Sequence, residues 1–357
     1  MLLELLEKTL LGIRPAFYES MSLAKERLDS LVKPLGSLGK LEEAAIKLSG
    51  ISGSLHNPVE KKCIIIMSSD NGIVEEGVSS SPQSVTASQT INFVKGIAGI
   101  SILAKQSKAD IKVIDIGINA DISYPGIIDK KIRKGTWNIA KGPAMSYDEA
   151  IKSLETGIET VGELADEGYS LLGTGEMGIG NTSTSSALAV SLIGCDVEAV
   201  VGKGAGLTEN DFVKKKEIIR KSISINKPVN SDPLDVLSKV GGFDIGGMAG
   251  CFIGAAYYRM PILIDGFISA ASALLAYRLN PFVADYMFPS HCSAEPGFMV
   301  IMKELGMSPF LNLNMRLGEG TGTALAFNII EAANAIAENM ATFEEASIAD
   351  SFLIDIR

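Results

Sequence analysis

Hydrophobic residues in this chain form short uninterrupted runs that are separated by longer segments of mixed polarity. Such runs are typical of parallel strands that are buried on both faces of a sheet. They predict strands at 63–67, 111–116, 170–172 and 261–265. Alternating apolar positions at 311–315 predict a further strand, because alternate side chains of a strand point to the same face.

Most of the segments between these runs carry apolar residues at helical spacing. This spacing predicts helices at 1–11, 15–31, 41–48, 85–93, 150–167, 183–193, 269–277 and 324–337, with the tail to residue 357 mostly helical. Residues 117–135 are predicted to be irregular. Strands that alternate with helices indicate an α/β fold with a parallel sheet. We expect the helices at the two ends of the chain to pack together as a small subdomain beside that sheet.

Composition and charge narrow the classes of partner. The chain has 357 residues, of which 46% are hydrophobic and 21% are charged, as in an ordinary folded protein. Its net charge is -10, whereas a nucleic-acid or anionic-membrane partner usually requires a basic face. Neither a secretory signal nor an apolar run long enough to span a bilayer is visible. We therefore expect a cytoplasmic protein that binds neither nucleic acid nor membranes.

Side chains that bind transition metals are few. The four cysteines lie far apart with no CxxC pair, and His56 and His291 are the only histidines. These residues predict neither a zinc site nor a disulfide framework. His291 belongs to a polar loop at 290–297, but no serine or cysteine at a known triad spacing accompanies it. We expect a site without metal.

Two glycine-rich loops each hold one isolated acid before a predicted helix. Residues 316–322 contain Glu319, and residues 173–182 contain Glu176. Glycines let a ligand approach the backbone, and free N–H groups at a helix start favour an anion such as phosphate. An acid beside an anion site requires another role, for which general-base chemistry is the leading candidate. The plainer alternative is that Glu319 caps the next helix or pairs with Arg316.

A third glycine loop at 200–206 precedes three adjacent lysines at 214–216. Lysines beside backbone amides suit a phosphate, although a solvated helix face explains the lysine run equally well. Gly173, Gly175 and Gly178 match the glycine spacing of a dinucleotide-binding loop, but the acid expected about twenty residues further on is missing. Its absence counts against an oxidoreductase. The other alternative is a non-catalytic ligand-binding subunit, against which the two isolated acids weigh.

Longer stretches along nearly the whole chain resemble one enzyme family. They are KPLGSLGKLE at 33–42, NGIVEEGVSSSPQSVTASQ at 71–89, RKGTWNIAKGPAMS at 133–146, GEMGIGNTS at 175–183, VLSKVGGFDIGGMAG at 236–250, DGFISAASALLA at 265–276, SHCSAEPG at 290–297 and MRLGEGTG at 315–322. In this order they are similar to the nicotinate-nucleotide:dimethylbenzimidazole phosphoribosyltransferases, which activate the lower base of cobalamin. Many ordered matches of this length are far more specific than any single glycine loop.

The resemblance implies a Rossmann-like parallel sheet flanked by helices, a small helical domain formed by both termini, and a homodimer. The expected division places 1–55 and 326–357 in the small domain and 56–325 in the catalytic domain. The implied reaction is attack by a nitrogen of 5,6-dimethylbenzimidazole on C1' of nicotinate mononucleotide. It gives nicotinate and α-ribazole 5'-phosphate, with inversion at C1'. The resemblance implies neither a cofactor nor a metal.

Matching of the motifs also implies which residues form the site. Glu319 is the expected catalytic base, because the benzimidazole must lose its N–H proton as its other nitrogen bonds to C1'. The implied substrate-binding residues are Ser81, Gln89, Glu176, Met177, Gly178, Gly204, Lys215, Ser293, Arg316, Leu317, Gly318 and Gly320.

Ten of these binding residues, all except Arg316 and Gly320, divide into three groups by their implied roles. The azole pocket is expected to be lined by Ser81, Gln89, Met177 and Leu317. The phosphate is expected to contact amides around Gly178, Gly204 and Gly318, together with Lys215 and Ser293. Glu176 is expected to be a second acid near the ribose or the azole that partly replaces Glu319.

One position departs from the family pattern. The family usually has Asp-His-Gly where this chain has Asp70-Asn71-Gly72. Asparagine keeps hydrogen-bonding capacity but does not titrate near neutral pH. Other benzimidazoles, purines and phenolic acceptors therefore stay open as alternatives to dimethylbenzimidazole.

Overall fold

The computed structural model describes residues 4–204, 206–351 and 353–355. Its strands are β1 (Lys62–Ser69), β2 (Ala109–Gly117), β3 (Ile127–Asp129), β4 (Leu171–Met177), β5 (Ile262–Ile264) and β6 (Met287–Pro289). They form one sheet in the order β3-β2-β1-β4-β5-β6, and every neighbouring pair is parallel. This is the Rossmann-like order, so the predicted α/β fold class is confirmed.

The central strand shows why the apolar runs predict this sheet. Every residue of β1 is buried, because helices cover both faces of the sheet. The strand order reverses at β1, which pairs with β2 on one side and with β4 on the other. In open sheets of this kind the crevice for a ligand lies at that reversal, outside the carboxyl ends of the strands.

The helices connect and flank the strands. They are α1 (Glu4–Gly12), α2 (Tyr18–Asp29), α3 (Lys40–Ser52), α4 (Ser84–Lys95), α5 (Gly99–Gln106), α6 (Tyr147–Asp166), α7 (Asn181–Ile193), α8 (Val197–Val200), α9 (Glu209–Asn226), α10 (Pro233–Val240), α11 (Phe243–Tyr257), α12 (Phe267–Leu279), α13 (Pro296–Leu305) and α14 (Thr321–Asn339). Short 3-10 turns at Gly72–Glu76 and Pro281–Tyr286 complete the regular structure of the described residues. None of the described helices is both long and apolar enough to cross a membrane.

Segments from the two ends of the chain contact each other. Arg27 of α2 donates a hydrogen bond of 2.8 Å to the carbonyl oxygen of Met340, just after α14. The N–H of Val32 donates to the carbonyl oxygen of Ala341 at 3.0 Å. Helix α14 runs without interruption across residue 325, so it marks no domain boundary there. The division into 1–55, 56–325 and 326–357 stays a prediction.

The structure corrects the predicted strand at 311–315. This segment is an extended loop that makes single backbone contacts with the loop at 290–294, such as Cys292 N–H to the carbonyl oxygen of Leu311 at 2.7 Å. Asn314 has a φ of 54°, which interrupts any strand. The apolar alternation does not mark a buried face, because Leu311 and Met315 are half-buried whereas Leu313 is 52% exposed.

The predicted glycine loop at 173–182 is also shorter than expected. Residues 173–177 belong to β4, and the turn begins only after Met177. Only glycine fits at 173 and 175, because a Cβ at either position would overlap atoms of the loop and helix at 319–323. These glycines permit close packing on a strand, a role that local sequence patterns do not distinguish from a turn.

Other differences concern elements that the hydrophobic pattern did not reveal. The segment expected to be irregular at 117–135 contains β3. The segment at 236–250, which is rich in glycine, lies mostly in α10 and α11. The polar loop after 290 is flanked by β6 and α13. The tail is helical only to Asn339 and then forms turns and loops. Strands of three residues and fully buried helices lack the periodicity on which the prediction depends.

Candidate active site

A cavity of about 280 Å³ lies beyond the carboxyl ends of the strands, beside the reversal in strand order. Side chains and backbone from β4, α4, α7, α12 and five loops line it. The lining residues are Val85, Gln89, Glu176, Met177, Gly178, Ile179, Asn181, Thr182, Gly204, Asp265, Gly266, Phe267, Ile268, Ser269, His291, Ser293, Glu295, Arg316, Leu317, Gly318 and Glu319. The two loops that each carry an isolated acid thus meet at one cavity.

Glu319 reaches the cavity through an unusual backbone. Its φ is 64°, and the flanking Gly318 and Gly320 have φ values of 79° and 100°. Three consecutive residues with a left-handed backbone make a tight turn. Glycine adopts this backbone readily, which explains the glycines on either side of the acid. Gly175 of β4 lets this turn pack directly against the strand, since a Cβ there would overlap the carbonyl oxygen of Glu319.

Both oxygens of the Glu319 carboxylate are held by donors. Oε1 accepts a hydrogen bond of 2.6 Å from Gln89 Nε2, and Oε2 accepts one of 3.1 Å from the N–H of Ile100. Glu319 is 6% exposed although it lines the cavity. The plainer alternative from the sequence was that Glu319 caps the next helix or pairs with Arg316. Its carboxylate instead contacts Gln89 and the N–H of Ile100. An oriented, nearly buried carboxylate beside a cavity suits proton abstraction.

Asp265 supplies the cap of α14 instead. Oδ2 accepts from the N–H of Gly320 at 3.0 Å, and Oδ1 accepts from those of Gly322 at 2.8 Å and Thr323 at 3.2 Å. The acid follows β5 directly and is buried. Burial raises the pKa of Asp265, and these N–H donors and His291 oppose that rise. This residue therefore holds the Glu319 turn against the sheet.

Glu176, which the structure places near the end of β4, lies beneath the turn that carries Glu319. The N–H of Glu319 is 3.4 Å from Glu176 Oε1, and a side chain on Gly318 would overlap the same oxygen. Glu176 Oε2 accepts from Asn181 Nδ2, which also donates to Asp244 Oδ2 at 3.1 Å. Burial raises the pKa of Glu176 to about 8, and the nearby Asp244 and Asp265 contribute to that rise. Burial likewise raises the pKa of Asp244 to about 7.

The other end of the cavity holds the turn around Gly204. The N–H of Gly204 donates to Glu295 Oε1 at 3.0 Å, and Glu295 Oε2 is buried without a hydrogen-bond partner among the described residues. Lys215 Nζ donates to Thr182 Oγ1 at 3.0 Å and to the carbonyl oxygen of Gly202 at 3.1 Å. Burial lowers the pKa of Lys215 to about 8. The N–H of Gly204 and one buried lysine thus lie close together here, and in this structure each has a protein acceptor.

The structure brings most of the sequence-predicted site residues to the cavity wall. Those that line it are Gln89, Glu176, Met177, Gly178, Gly204, Ser293, Arg316, Leu317, Gly318 and Glu319. Leu317 is 61% exposed at the rim. Ser81 lies in the turn before α4, Lys215 lies behind the Gly204 turn, and Gly320 lies in the cap of α14, so none of these three lines the cavity. Their roles at a substrate stay predictions.

Several polar residues of the site were not predicted from the sequence. They are Asn181, Asp244, Asp265 and Glu295. Asp265 carried a usable signal, since an acid that directly follows a buried strand lies at the ligand edge of a parallel sheet. The other three sit in helices or at helix starts. Only the packing of distant segments brings Asn181 and Glu295 to the cavity wall and Asp244 behind it.

Asn71 does not line the cavity. It is fully buried behind the turn at 178–180, and its Oδ1 accepts a hydrogen bond of 3.1 Å from Thr184 Oγ1. Any influence of this residue on the acceptor must therefore be indirect, through the turn that carries Gly178 or through Asp244. Among the described residues, no group of three or more histidine, cysteine or acidic side chains could hold a metal ion.

Comparisons with known proteins agree with this architecture. A family model described as a phosphoribosyltransferase matches residues 13–348. The chain is 58% identical over 342 residues to nicotinate-nucleotide-dimethylbenzimidazole phosphoribosyltransferase from Ruminiclostridium cellulolyticum, a match that covers 96% of this chain and 97% of that protein. The protein of the same name from Geobacter sulfurreducens is 45% identical over 347 residues, with 97% and 99% covered.

A solved structure is similar as well. The crystal structure of CobT from Thermus thermophilus superposes with a TM-score of 0.89 at 37% identity, and the match covers 93% of this chain and 100% of that chain. Sequence and fold therefore match over almost the full length of these relatives. On the geometry of its cavity and on these matches, this chain belongs to the nicotinate-nucleotide-dimethylbenzimidazole phosphoribosyltransferase family.

Proposed function

We propose that this protein transfers the phosphoribosyl group of nicotinate mononucleotide to 5,6-dimethylbenzimidazole, giving α-ribazole 5'-phosphate and nicotinate for the nucleotide loop of cobalamin. The observation that carries the proposal is the Glu319 carboxylate, which lines the cavity and is oriented by Gln89 and Ile100. The names of the curated relatives favour this substrate pair over a purine or phenolic acceptor and over a non-catalytic subunit.

The chemistry of the substrates explains why one base is enough. The ring nitrogen of nicotinate is cationic while it is bonded to ribose, so nicotinate leaves as a neutral ring nitrogen without prior protonation. The acceptor instead has a proton to lose. One nitrogen of the benzimidazole forms the bond to C1', and the proton on its other nitrogen passes to the carboxylate of Glu319. Attack on the face opposite the leaving group inverts C1' and gives the α product.

The rest of the cavity wall suits the two substrates. Met177, Leu317 and Val85 provide apolar surface on which an aromatic acceptor can pack. We assign the phosphate to the part of the wall that carries Gly178, Gly204, Gly318 and Ser293. The N–H of Gly204 donates to Glu295 in this structure, so it must leave that carboxylate to contact the phosphate. Lys215 supports this end from behind, because it holds the turn through Gly202 and Thr182. We therefore assign Lys215 to phosphate binding through its charge and through that turn.

The activity is tested with purified protein, nicotinate mononucleotide and dimethylbenzimidazole. Chromatography with mass detection should show nicotinate and α-ribazole 5'-phosphate appearing in equal amounts. Parallel reactions with adenine and with a phenol as acceptor measure the alternatives directly. If the nucleotide is consumed only with one of these acceptors, the proposed acceptor is wrong.

The role of Glu319 is tested with Glu319→Gln, which keeps the size of the side chain and removes the base. Loss of a general base typically lowers the rate by about 100-fold to 10,000-fold. Binding of both substrates, measured by calorimetry, should persist. Glu60→Gln is a matched control, because Glu60 lies before β1, at the opposite edge of the sheet from the cavity. Full turnover by Glu319→Gln would assign the base role to another group.

The assembly and location of the protein complete the proposal. We propose a homodimer, as the family resemblance implies, and a cytoplasmic location. Sedimentation equilibrium of the purified protein tests the first, with twice the monomer mass of 37.7 kDa expected. A monomeric mass at concentrations that support turnover would refute the dimer while leaving the reaction intact.

A further inference from the structure

Glu176 shares one hydrogen-bond donor with a second buried acid. The two hydrogens of Asn181 Nδ2 go to Glu176 Oε2 and to Asp244 Oδ2. Glu176 is 8% exposed and Asp244 is fully buried, and only Glu176 lines the cavity. Asp244 belongs to the first turn of α11 and Asn181 to that of α7, so two helices and β4 fix this arrangement.

Two negative charges on this pair would be poorly compensated. Asp244 Oδ1 is buried without a hydrogen-bond partner among the described residues. Burial disfavours the charged form of each acid, and a charge on one disfavours a charge on the other. Other donors favour the charged forms: the N–H of Glu319 acts on Glu176, and Asn71 and the N–H of Ile245 act on Asp244. Because burial is the largest effect on both acids, the pair is still expected to retain one proton where an isolated carboxyl group has lost it.

Groups on the surrounding elements strengthen this expectation. The charged or titratable side chains on the cavity side are Asp265, His291, Glu295, Arg316 and Glu319, with Asp70 at the end of β1 and Lys215 behind the Gly204 turn. Asp265 acts on Glu176 as a further negative charge. The raised pKa of Glu176, about 8, agrees with a neutral acid at pH 7.

We propose that Asp244 is a positioning residue that keeps a proton on Glu176, so that Glu176 presents a neutral carboxylic acid to the nucleotide. The inference rests on the proposed phosphoribosyl transfer. A neutral Glu176 does not repel the phosphate and carboxylate of nicotinate mononucleotide, and its O–H can donate to an oxygen of the substrate. The two acids then have different parts in the transfer, since Glu319 is the proposed base and Glu176 is a hydrogen-bond donor.

The proton is tested on purified protein without substrates. Infrared difference spectra of the wild type should show the C=O stretch of a protonated carboxyl group that disappears as the pH rises through about 8. Glu176→Gln should lose the component of the band that titrates at about pH 8 and keep only that of Asp244, whose pKa is about 7. Absence of the band from the wild type near neutral pH, or an unchanged titration of the band in Glu176→Gln, would overturn the proposal.

The part played by Asp244 is tested with Asp244→Asn. Loss of the neighbouring carboxyl group should lower the pKa of Glu176, so its band should titrate at lower pH by roughly one unit. The alkaline limb of kcat/KM for nicotinate mononucleotide should move in the same direction. A structural role alone would change Tm without moving either titration. Asp148→Asn, an exposed acid in the first turn of α6, is the matched control and should change neither.

A second variant keeps the test decisive. Asp244→Ser removes the same carboxyl group with a smaller side chain and serves if Asp244→Asn does not unfold cooperatively. An unchanged Glu176 titration in either folded variant would refute the role of Asp244. A wild-type protein that shows the band but transfers no phosphoribosyl group would instead refute the proposed function and leave the protonation pattern standing.

Discussion

Gln89 donates a hydrogen bond of 2.6 Å to Glu319 Oε1, and this bond joins α4 to a loop that lies 230 positions later in the chain. The second carboxylate oxygen is held by the backbone of α5 through the N–H of Ile100. The direction of the carboxylate is therefore set by two helices outside its own loop. A base held at both oxygens keeps its orientation while a substrate enters.

Removal of the Gln89 amide should reduce the rate more than it reduces binding. In Gln89→Ala the carboxylate loses a charge-assisted hydrogen bond, which typically contributes about 1.5–3 kcal/mol. We expect kcat to fall by about tenfold or more, with a smaller change in KM for the nucleotide. Steady-state kinetics measure both. Ser88→Ala, the exposed neighbour on α4, should behave as wild type, and equal kcat values for the two variants would contradict the orienting role.

Gly175 should tolerate no side chain. Its Cβ would overlap the carbonyl oxygen of Glu319, and neither β4 nor the three-residue turn can yield easily. We expect Gly175→Ala to lower the free energy of unfolding by about 1–3 kcal/mol, as overpacking does. Displacement of Glu319 by even a fraction of an ångström should also lower kcat markedly.

Gly142→Ala is the matched control for this substitution, because a Cβ there meets nothing within 4 Å. Urea unfolding and turnover are measured for both variants. The prediction fails if Gly175→Ala is as stable and as active as Gly142→Ala.

The cap of α14 should matter for both stability and activity. In Asp265→Ala three backbone N–H groups at 320–323 lose their acceptor, so we expect a loss of roughly 2 kcal/mol in the free energy of unfolding. The Glu319 turn is attached to this cap, so kcat should fall as well. Urea unfolding and steady-state kinetics test the two effects.

A second capped helix separates these effects. Asp232 caps α10 through Oδ1, which accepts from the N–H groups of Leu234 and Asp235 at 3.1 Å each, and it does not line the cavity. Asp232→Ala should therefore lose stability without losing turnover. Equal kcat values for the two folded Asp→Ala variants would show that the Asp265 cap is purely structural.

The buried acids should make the stability depend on pH. The folded-state pKa of Glu176, about 8, lies above its ordinary value of 4.5, so the folded protein binds more protons than the unfolded chain between these pH values. The contribution of Glu176 to stability is therefore fully present below about pH 4.5 and is lost as the pH rises to about 8. Glu176→Gln should remove this contribution.

Urea unfolding at about pH 5.5 and about pH 8.5 measures the effect. Wild type should lose more stability between the two pH values than Glu176→Gln does. The comparison within each protein cancels the constant cost of the substitution. Parallel slopes for the two proteins would show that Glu176 is charged in the folded state across this range.

The sequence alone was enough for the fold class and for the two acids. The continuous apolar run at 63–67 marked the central strand, found at Lys62–Ser69, because a strand buried on both faces must be apolar throughout. Glu319 and Glu176 stood out because each was a lone charge among glycines. The family resemblance added the remaining candidates, most of which line the cavity.

Only the tertiary structure decided how these acids differ. Glu319 meets donors from α4 and α5, whereas Glu176 meets a second buried acid through Asn181, and the helices that carry these partners come together only in the folded chain. The same side chain therefore accepts hydrogen bonds from two helices in the turn at 318–320 and has a raised pKa at the end of β4. Protonation depends on burial and on neighbouring charges, which the order of residues along one strand or loop does not contain.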